Sequence, residues 1–128
     1  MNYLLDTHLL IWAALREDMM SAKADRIVKD PANTLWFSAV SIWEVAIKRG
    51  LGRPDFTLDP GPLRAGLLAN GYQEMPMDGR HCLGLGTLPP LHGDPFDRML
   101  VLQATAEGMI LLTADKQVAA YGGPAVLV

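Results

Sequence analysis

The segment Asn2-Tyr-Leu-Leu-Asp6 sets a pattern that recurs along the chain: a few apolar residues lead into a polar side chain. Comparable runs end at Ser38 and at Thr113. Runs this short, and this rich in bulky apolar side chains, are typical of strands buried on both faces of a parallel sheet. We therefore expect a central parallel sheet of four to five strands. The predicted strands cover residues 2–5, 35–37, 109–112 and, with weaker patterns, 72–75 and 125–128.

Segments with helical signals lie between these strands. Ser41 and Glu44 match a Ser-x-x-Glu capping box, which predicts that a helix starts at Ser41. Asp94 is suited to cap a helix whose first residue is Pro95, and Gly108 is suited to end it. The alternation of strands and helices predicts an α/β fold with helices on both sides of the sheet. The predicted helices cover residues 9–15, 21–29, 41–48, 62–69 and 95–107.

Length and composition bear on the number of domains and on the location of the protein. The chain has 128 residues, of which 50% are hydrophobic, and this predicts a single domain over residues 1–128. The lone Cys82 cannot form an internal disulfide and matches no zinc motif, which favours a cytoplasmic location. The first residues lack a basic segment, which argues against a secretory signal. No apolar run approaches the roughly 20 residues of a membrane span.

Four acidic residues are placed where a metal site is expected. Asp6 directly follows the first predicted strand, and Asp115 lies just beyond the fourth, so both belong to the edge where ligands of open α/β sheets bind. Asp97 falls in the first turn of a later helix, and Glu44 lies in an apolar segment where a lone charge is unfavourable. Converging carboxylates repel each other, and a hard cation such as Mg²⁺ relieves that repulsion. Hydrolysis of a phosphate ester is the chemistry such an ion supports.

Four longer segments carry these acids in order. They are Leu-Leu-Asp6-Thr7-His8, then Ser38-Ala-Val-Ser-Ile-Trp-Glu44-Val-Ala-Ile-Lys48, then His92-Gly-Asp94-Pro-Phe-Asp97-Arg98, and finally Leu-Leu-Thr113-Ala-Asp115. Together they resemble the four acidic motifs of the PIN domain, and most closely those of VapC-type toxins of bacterial toxin–antitoxin pairs. An aspartate after a strand is common, whereas all four motifs in order over essentially the whole chain are specific.

The resemblance implies a three-layer α/β/α PIN-like domain that acts as a Mg²⁺-dependent endoribonuclease, with Mn²⁺ as a substitute ion. Matched position by position, Thr113 corresponds to a polar residue that supports the site. The resemblance further implies a homodimer, an RNA substrate, and a small cognate antitoxin whose C-terminal segment occupies the active-site groove. The positions that match the metal-binding acids are Asp6, Glu44, Asp97 and Asp115.

Each of these acids also has a purely structural explanation. Asp6 could end a strand in a turn, and Glu44 could serve only the capping box. Asp97 and Asp115 could simply stabilise the N-termini of helices. Asp94 is better explained as a helix cap than as a metal ligand. The site assignment therefore depends on all four motifs occurring together.

The histidines and tryptophans give weaker signals. The three histidines, His8, His81 and His92, lack metal-binding spacing, which favours packing or surface roles, and His8 is the best placed to approach a substrate. Trp12, Trp36 and Trp43 lie in apolar segments and are expected in the core, although Trp12 also suits a partner surface.

The balance of charge bears on an RNA partner. The formal net charge is −3, from 11 basic and 14 acidic residues, whereas nucleic-acid-binding proteins usually show a basic excess. Setting aside the four proposed site acids leaves 10 acidic residues against the 11 basic ones, so the net charge does not exclude RNA. Lys48, Arg49 and Arg98 could line an RNA path or form a solvated helix face.

Two other functions are compatible with the same acids. One is an aspartate-based phosphotransferase with Asp6 as the nucleophile. Asp6-Thr7-His8 lacks the second aspartate two residues on that is common in such enzymes, which argues against it. The other is a catalytically silent PIN-like domain that only binds a protein or RNA.

Overall fold

A five-stranded sheet forms the centre of the computed structural model, which describes residues 1–128. Every neighbouring pair of strands is parallel, and both weakly patterned strands are present, so the predicted parallel sheet is confirmed. The strands are β1 (Asn2–Leu5), β2 (Thr34–Ser38), β3 (Gln73–Met75), β4 (Ile110–Thr113) and β5 (Ala125–Leu127). Their order across the sheet is β3-β2-β1-β4-β5.

Helices fill the connections between the strands. The α-helices are α1 (Thr7–Leu15), α2 (Ala22–Lys29), α3 (Ala39–Gly50), α4 (Pro60–Ala69), α5 (Gly79–Leu83), α6 (Pro95–Glu107) and α7 (Lys116–Ala119). Helix α5 and the 3₁₀ turn Gly84–Thr87 have no predicted counterpart, because segments this short carry too little periodicity to detect. None of the helices is both long and apolar enough to cross a membrane.

Alternate residues of the central strands face two separate cores. Leu5 and Leu112 pack with buried residues of α1 and α4 on one face of the sheet. Leu4 and Leu111, one residue earlier in each strand, pack with buried residues of α6 and α7 on the other. In the parallel register, Leu4 pairs with Leu111 and Leu5 with Leu112. Because helices cover both faces, the predicted three-layer α/β/α architecture is confirmed.

Helix α3 begins earlier than the sequence predicts. Its first residue is Ala39, and its N-cap is Ser38, whose hydroxyl accepts a hydrogen bond from the backbone N–H of Val40 at 3.0 Å. The predicted capping box of Ser41 and Glu44 is therefore wrong, since both residues are buried inside the helix. Strand β2 runs directly into the helix, so the cap falls on the last residue of the strand.

Ser38 also ties α3 to α6. Its hydroxyl donates to Oε1 of Gln103 at 2.5 Å, and both residues are completely buried. Helix α6 itself has the predicted ends: Asp94 is the N-cap, Pro95 is the first residue, and Gly108 ends the helix with a left-handed φ of 66°. The Ser38–Gln103 bond thus joins the start of α3 to the second half of α6.

Replacing Ser38 with Ala is expected to lower the free energy of unfolding by about 2–4 kcal/mol, because it removes a cap and leaves the buried Gln103 carbonyl without its donor. Ser21→Ala is the matched control, since Ser21 caps the exposed start of α2 through the Ala24 N–H. That variant should lose only about 1 kcal/mol in urea denaturation. Equal losses in the two variants would contradict a stabilising role for the Ser38–Gln103 bond.

Candidate metal centre

The chain order of the strands creates a crevice at one edge of the sheet. The chain passes from β1 outward to β2 and β3, then returns to place β4 on the other side of β1. The connections therefore diverge between the carboxyl ends of β1 and β4, which is where open parallel sheets bind ligands. Asp6 follows β1 here, and Thr113 ends β4. The Thr113 hydroxyl donates to Oδ2 of Asp6 at 2.6 Å across the crevice.

Asp6 is held from two sides. Besides the Thr113 bond, its Oδ1 accepts the Leu9 N–H at 2.9 Å, which makes Asp6 the N-cap of α1. Only 4% of the residue is exposed, and this burial raises its pKa despite the two donors. The structural and the functional explanations of Asp6 are thus compatible. With both oxygens accepting hydrogen bonds, Asp6 is poorly suited to act as a nucleophile.

Glu44 is buried with two partners of its own. Its Oε1 accepts a hydrogen bond from the Thr7 hydroxyl, and its Oε2 from the Lys48 ammonium, each at 2.5 Å. Glu44 is 1% exposed and Lys48 is 8% exposed, so this ion pair is almost completely removed from water. The expectation that Lys48 lines an RNA path or a solvated face is therefore wrong.

Asp94 reaches the same ammonium from α6. Its Oδ2 lies 2.9 Å from Nζ of Lys48, while its Oδ1 accepts the backbone N–H of Phe96 at 2.8 Å. Burial alone raises the pKa of Asp94, but the ammonium and the backbone donors outweigh it, and the net shift is downward. The prediction that Asp94 is a helix cap is confirmed.

Asp97 is a partly buried acid that lies among other carboxylates. Burial, followed by the negative charges of Asp94, Glu44 and Asp6, raises its pKa to about 8. Its carboxylate receives no hydrogen bond from a backbone N–H or a hydroxyl; His92 is the one cationic or potentially cationic side chain within 4 Å of it. Near neutral pH this group therefore keeps a proton unless another cation approaches.

His92 lies between two of the predicted site acids. Its Nε2 is 3.2 Å from Oδ2 of Asp97 and 3.2 Å from Oδ2 of Asp115. Its Nδ1 lies 3.1 Å from the backbone nitrogen of Asp94, which can only donate, so the proton of the neutral ring is on Nε2. Nε2 therefore carries the N–H, which donates to Oδ2 of Asp115, whereas Asp97 is only an ion-pair contact of the same nitrogen.

Asp115 connects the cluster to an open cleft. It caps α7 by accepting the Gln117 N–H at 2.8 Å through Oδ1, while Oδ2 faces His92. The cleft has a volume of about 520 Å³. It is lined by Asp6, His8, Trp12, Ala114, Asp115 and Lys116. His8 is therefore placed beside the acids, as its position after Asp6 suggested, and it also contacts Asp55 at 3.4 Å.

The structure brings the predicted site residues to one edge of the sheet. It also places Thr7, Lys48 and His92 among them, which the sequence did not indicate as site residues. Lys48 had a detectable signal, because a Glu–Lys spacing of four residues on a helix predicts an ion pair. Thr7 lies within a quoted motif but has no distinctive spacing. His92 also lies within a quoted motif, but it has no metal-binding spacing, and only the folded loop before α6 carries it to Asp115.

The exposure and contacts of the Trp43, Arg49 and Arg98 side chains bear on the remaining expectations. Trp43 is 53% exposed, so its expected place in the core is wrong, and its ring packs edge-on against Phe96. Arg49 is exposed near Asp59, whereas Arg98 is half-buried and donates to the Leu88 carbonyl at 3.3 Å. Neither arginine contacts the acids through its side chain.

His81 belongs to a separate cluster. It lies 3.0 Å from Glu107 and 3.9 Å from Asp78, and Arg80 pairs with both acids. Nδ1 of His81 accepts the Asp78 N–H in a capping box at the start of α5. The arginine already neutralises these carboxylates, and the cluster is accounted for as a brace between α5 and α6.

The donor set at the crevice fits a hard divalent cation. Asp6, Asp97 and Asp115 offer carboxylate oxygens, which Mg²⁺ and Mn²⁺ prefer, and the open cleft leaves room for water ligands. Burial and the charges of the neighbouring acids raise the pKa of Asp97, and a nearby cation would lower it. A bound cation would take the place of the Asp97 proton.

Comparison with known proteins supports the assignment of the fold. The profile of the PIN domain family matches residues 3–124, nearly the whole chain, and the chain therefore belongs to the PIN domain family. A comparison with curated protein sequences finds no match.

Solved structures with similar folds include toxin–antitoxin complexes. VapBC2 from Rickettsia felis, bound to a promoter DNA fragment, has a TM-score of 0.70 at 14% identity, over 100% of this chain and 98% of that one. VapBC-1 from nontypeable Haemophilus influenzae has a TM-score of 0.63 at 22% identity, over 94% and 92%. A toxin–antitoxin complex from Klebsiella pneumoniae has a TM-score of 0.60 at 15% identity, over 97% and 95%. Such low identities establish the shared fold alone.

The stability of the metal-free protein should fall as pH rises from about 4 to about 8. In this window the folded chain keeps the Asp97 proton that the unfolded chain releases from a group of ordinary pKa 3.8, so rising pH favours unfolding. Asp97→Asn removes this proton linkage. The gain in unfolding free energy of the variant over wild type should therefore grow across the window, as measured by urea denaturation with a chelator present.

Asp18→Asn is the control for this comparison, since the Asp18 side chain is 66% exposed at the surface. Its difference from wild type should stay small at every pH. A pH-independent gain for Asp97→Asn would contradict the raised pKa.

Proposed function

We propose that this chain is a divalent-cation-dependent endoribonuclease and the toxin of a toxin–antitoxin pair. The observation that carries the proposal is the position of Asp97: its pKa is raised to about 8 by burial and by the surrounding carboxylates, and His92 connects it to Asp115, which lines an open cleft. Perturbed acids in a cleft are typical of catalytic centres. Membership of the PIN domain family supports a nuclease.

In this proposal Asp6, Glu44, Asp97 and Asp115 supply the negative charge that attracts Mg²⁺ or Mn²⁺. When bound there, such an ion would lower the pKa of a water molecule and offset the charge that develops on a phosphodiester. Thr113 and the Leu9 N–H keep the Asp6 carboxylate turned toward the crevice.

The chain's own groups also shape the approach of the substrate. His92 keeps the Asp97 and Asp115 carboxylates close together from the rim of the crevice. His8, Trp12 and Lys116 line the cleft next to Asp6, and they provide surfaces for a base and a phosphate. Because the chain carries little basic excess, we expect modest non-specific affinity for RNA and recognition that depends on the shape of the groove.

The proposed partners are a cognate antitoxin and a second copy of the chain, with residues 1–128 acting as one cytoplasmic domain. Three solved neighbours with similar folds are toxin–antitoxin complexes, which supports an antitoxin partner. An exposed apolar stripe runs along α3 and just past its end, at Trp43, Ile47 and Leu51, and it supports a protein partner next to the metal centre.

The two alternative functions, a phosphotransferase and a catalytically silent domain, require different properties of the site. A phosphotransferase would need Asp6 as a free nucleophile, but both oxygens of Asp6 accept hydrogen bonds and the residue is buried. A phosphorylated Asp6 trapped during turnover would nevertheless revive it. A catalytically silent domain would bind no Mg²⁺ at millimolar concentrations in calorimetric titration.

Asp6→Asn and Asp97→Asn should each lower the rate of RNA cleavage by about 100-fold or more, because each replaces a charged oxygen by a neutral amide. Both variants should remain folded, since the Asn side chain keeps an oxygen that can accept the capping bond at position 6. Thr113→Val should lower the rate by about 10–100-fold, because it frees the Asp6 carboxylate to turn.

Cleavage of a defined RNA in Mg²⁺ and in Mn²⁺ measures these effects, with Asp18→Asn as the surface control. Undiminished cleavage by both Asp6→Asn and Asp97→Asn would exclude the proposed site.

Production of the chain in a bacterial host should stop growth, because a free nuclease would degrade cellular RNA. Co-production of the cognate antitoxin should restore growth, and Asp97→Asn should not stop growth at all. Growth curves with matched protein amounts check this expectation. Growth arrest by Asp97→Asn equal to that by wild type would contradict toxicity through RNA cleavage.

A further inference from the structure

Lys48 is the one basic side chain buried in the acidic cluster. Its ammonium lies 2.5 Å from Oε2 of Glu44 and 2.9 Å from Oδ2 of Asp94. The same nitrogen lies 4.9 Å from the centre of the Phe56 ring and 5.5 Å from that of Phe96. Two carboxylates and two aromatic rings thus surround a cation whose side chain is 10% exposed.

The surrounding contacts leave Lys48 charged and fixed. Burial alone lowers the pKa of Lys48, but the hydrogen bonds and charges of Glu44 and Asp94 outweigh it, and the net shift is upward. Glu44 and Lys48 are one turn apart on α3, so the helix itself delivers the cation to the acid. Asp94 then joins from the start of α6.

In Glu44 and Asp94, all four carboxylate oxygens already accept hydrogen bonds. The Thr7 hydroxyl donates to Oε1 of Glu44, and the Phe96 N–H donates to Oδ1 of Asp94. The two remaining oxygens converge on Nζ of Lys48. A Mg²⁺ ion shared by Glu44 and Asp94 would have to lie about 2.0–2.1 Å from those oxygens, in the space that the ammonium occupies. The Mg²⁺ ion and the Lys48 ammonium cannot both occupy that space.

We propose that Lys48 takes the place of a second metal ion, so that the centre binds one divalent cation per chain. This inference rests on the proposed function. It specifies how many ions the metal centre binds and what Glu44 does there. The single ion lies on the Asp6, Asp97 and Asp115 side of the crevice, where Asp97 lacks a fixed cation. Glu44 is then a positioning residue: it holds Lys48 and contributes negative charge, but it is not a ligand.

The number of bound ions tests this proposal directly. Mn²⁺ is titrated into the full chain, and free Mn²⁺ is counted by electron paramagnetic resonance, with calorimetry as a second measure. Wild type should bind one Mn²⁺. Lys48→Met should bind two, because Met ends one atom short of the Nζ position and leaves Glu44 and Asp94 without their cation. Lys48→Arg, which keeps the charge, should still bind one.

The double variant Lys48→Met/Glu44→Gln locates the additional ion. It should bind one Mn²⁺ again, because the second site has lost a charged oxygen, and it also removes the unpaired buried charge that could unfold Lys48→Met. A folded Lys48→Met protein that binds only one ion, or a wild type that binds two, would overturn the inference while leaving a metal-dependent nuclease in place.

A second comparison applies even if circular dichroism finds Lys48→Met unfolded. In the wild-type background, Glu44→Gln should keep the Mn²⁺ ion with an affinity within tenfold of wild type, whereas Asp97→Asn should lose it. Loss of the ion in Glu44→Gln would overturn the assignment of Glu44 as a non-ligand. A wild type that binds no Mn²⁺ would defeat both this inference and the proposed function.

Discussion

The crowding of carboxylates at the carboxyl ends of β1 and β4 is the constraint on which the rest of the site depends. Charges of one sign that share a partly dry crevice destabilise the fold unless each receives donors or a cation. Asp6 has a hydroxyl and a backbone N–H, whereas Glu44 has a hydroxyl and an ammonium. The elements around the crevice therefore serve to supply these partners as well as to pack the core.

The parallel sheet supplies part of that compensation through its helices. Helices α1, α6 and α7 all begin at this edge, where the partial positive charge of each N-terminus favours an anion. Asp6, Asp94 and Asp115 are the N-caps of these three helices. One carboxylate oxygen of each residue thus stabilises a helix while the other faces the cluster. For this reason the structural and the catalytic explanations of an acid are not alternatives in this fold.

The sheet and the meeting of the acids at one edge could be predicted because both leave a local signal. Short apolar runs indicate buried strands, and the acids that follow β1 and β4 are placed at one edge by the parallel arrangement alone. The start of α3 was mispredicted because Ser41 imitates a cap, while the true cap, Ser38, is the last residue of a strand. The role of His92 could not be predicted, since its contacts with Asp97 and Asp115 arise from loop geometry.

The distribution of partners within the cluster separates an acid that already has a cation from one that lacks it. Lys48 is covalently attached to the helix that carries Glu44, so this acid is neutralised as soon as α3 forms and packs. Within 4 Å, Asp97 has only Nε2 of His92 as a potentially cationic neighbour, and its charge is opposed by three neighbouring carboxylates. The chain can therefore fold without an ion by keeping a proton on Asp97. A divalent cation bound beside Asp97 would replace that proton and would leave the ion pair on α3 undisturbed.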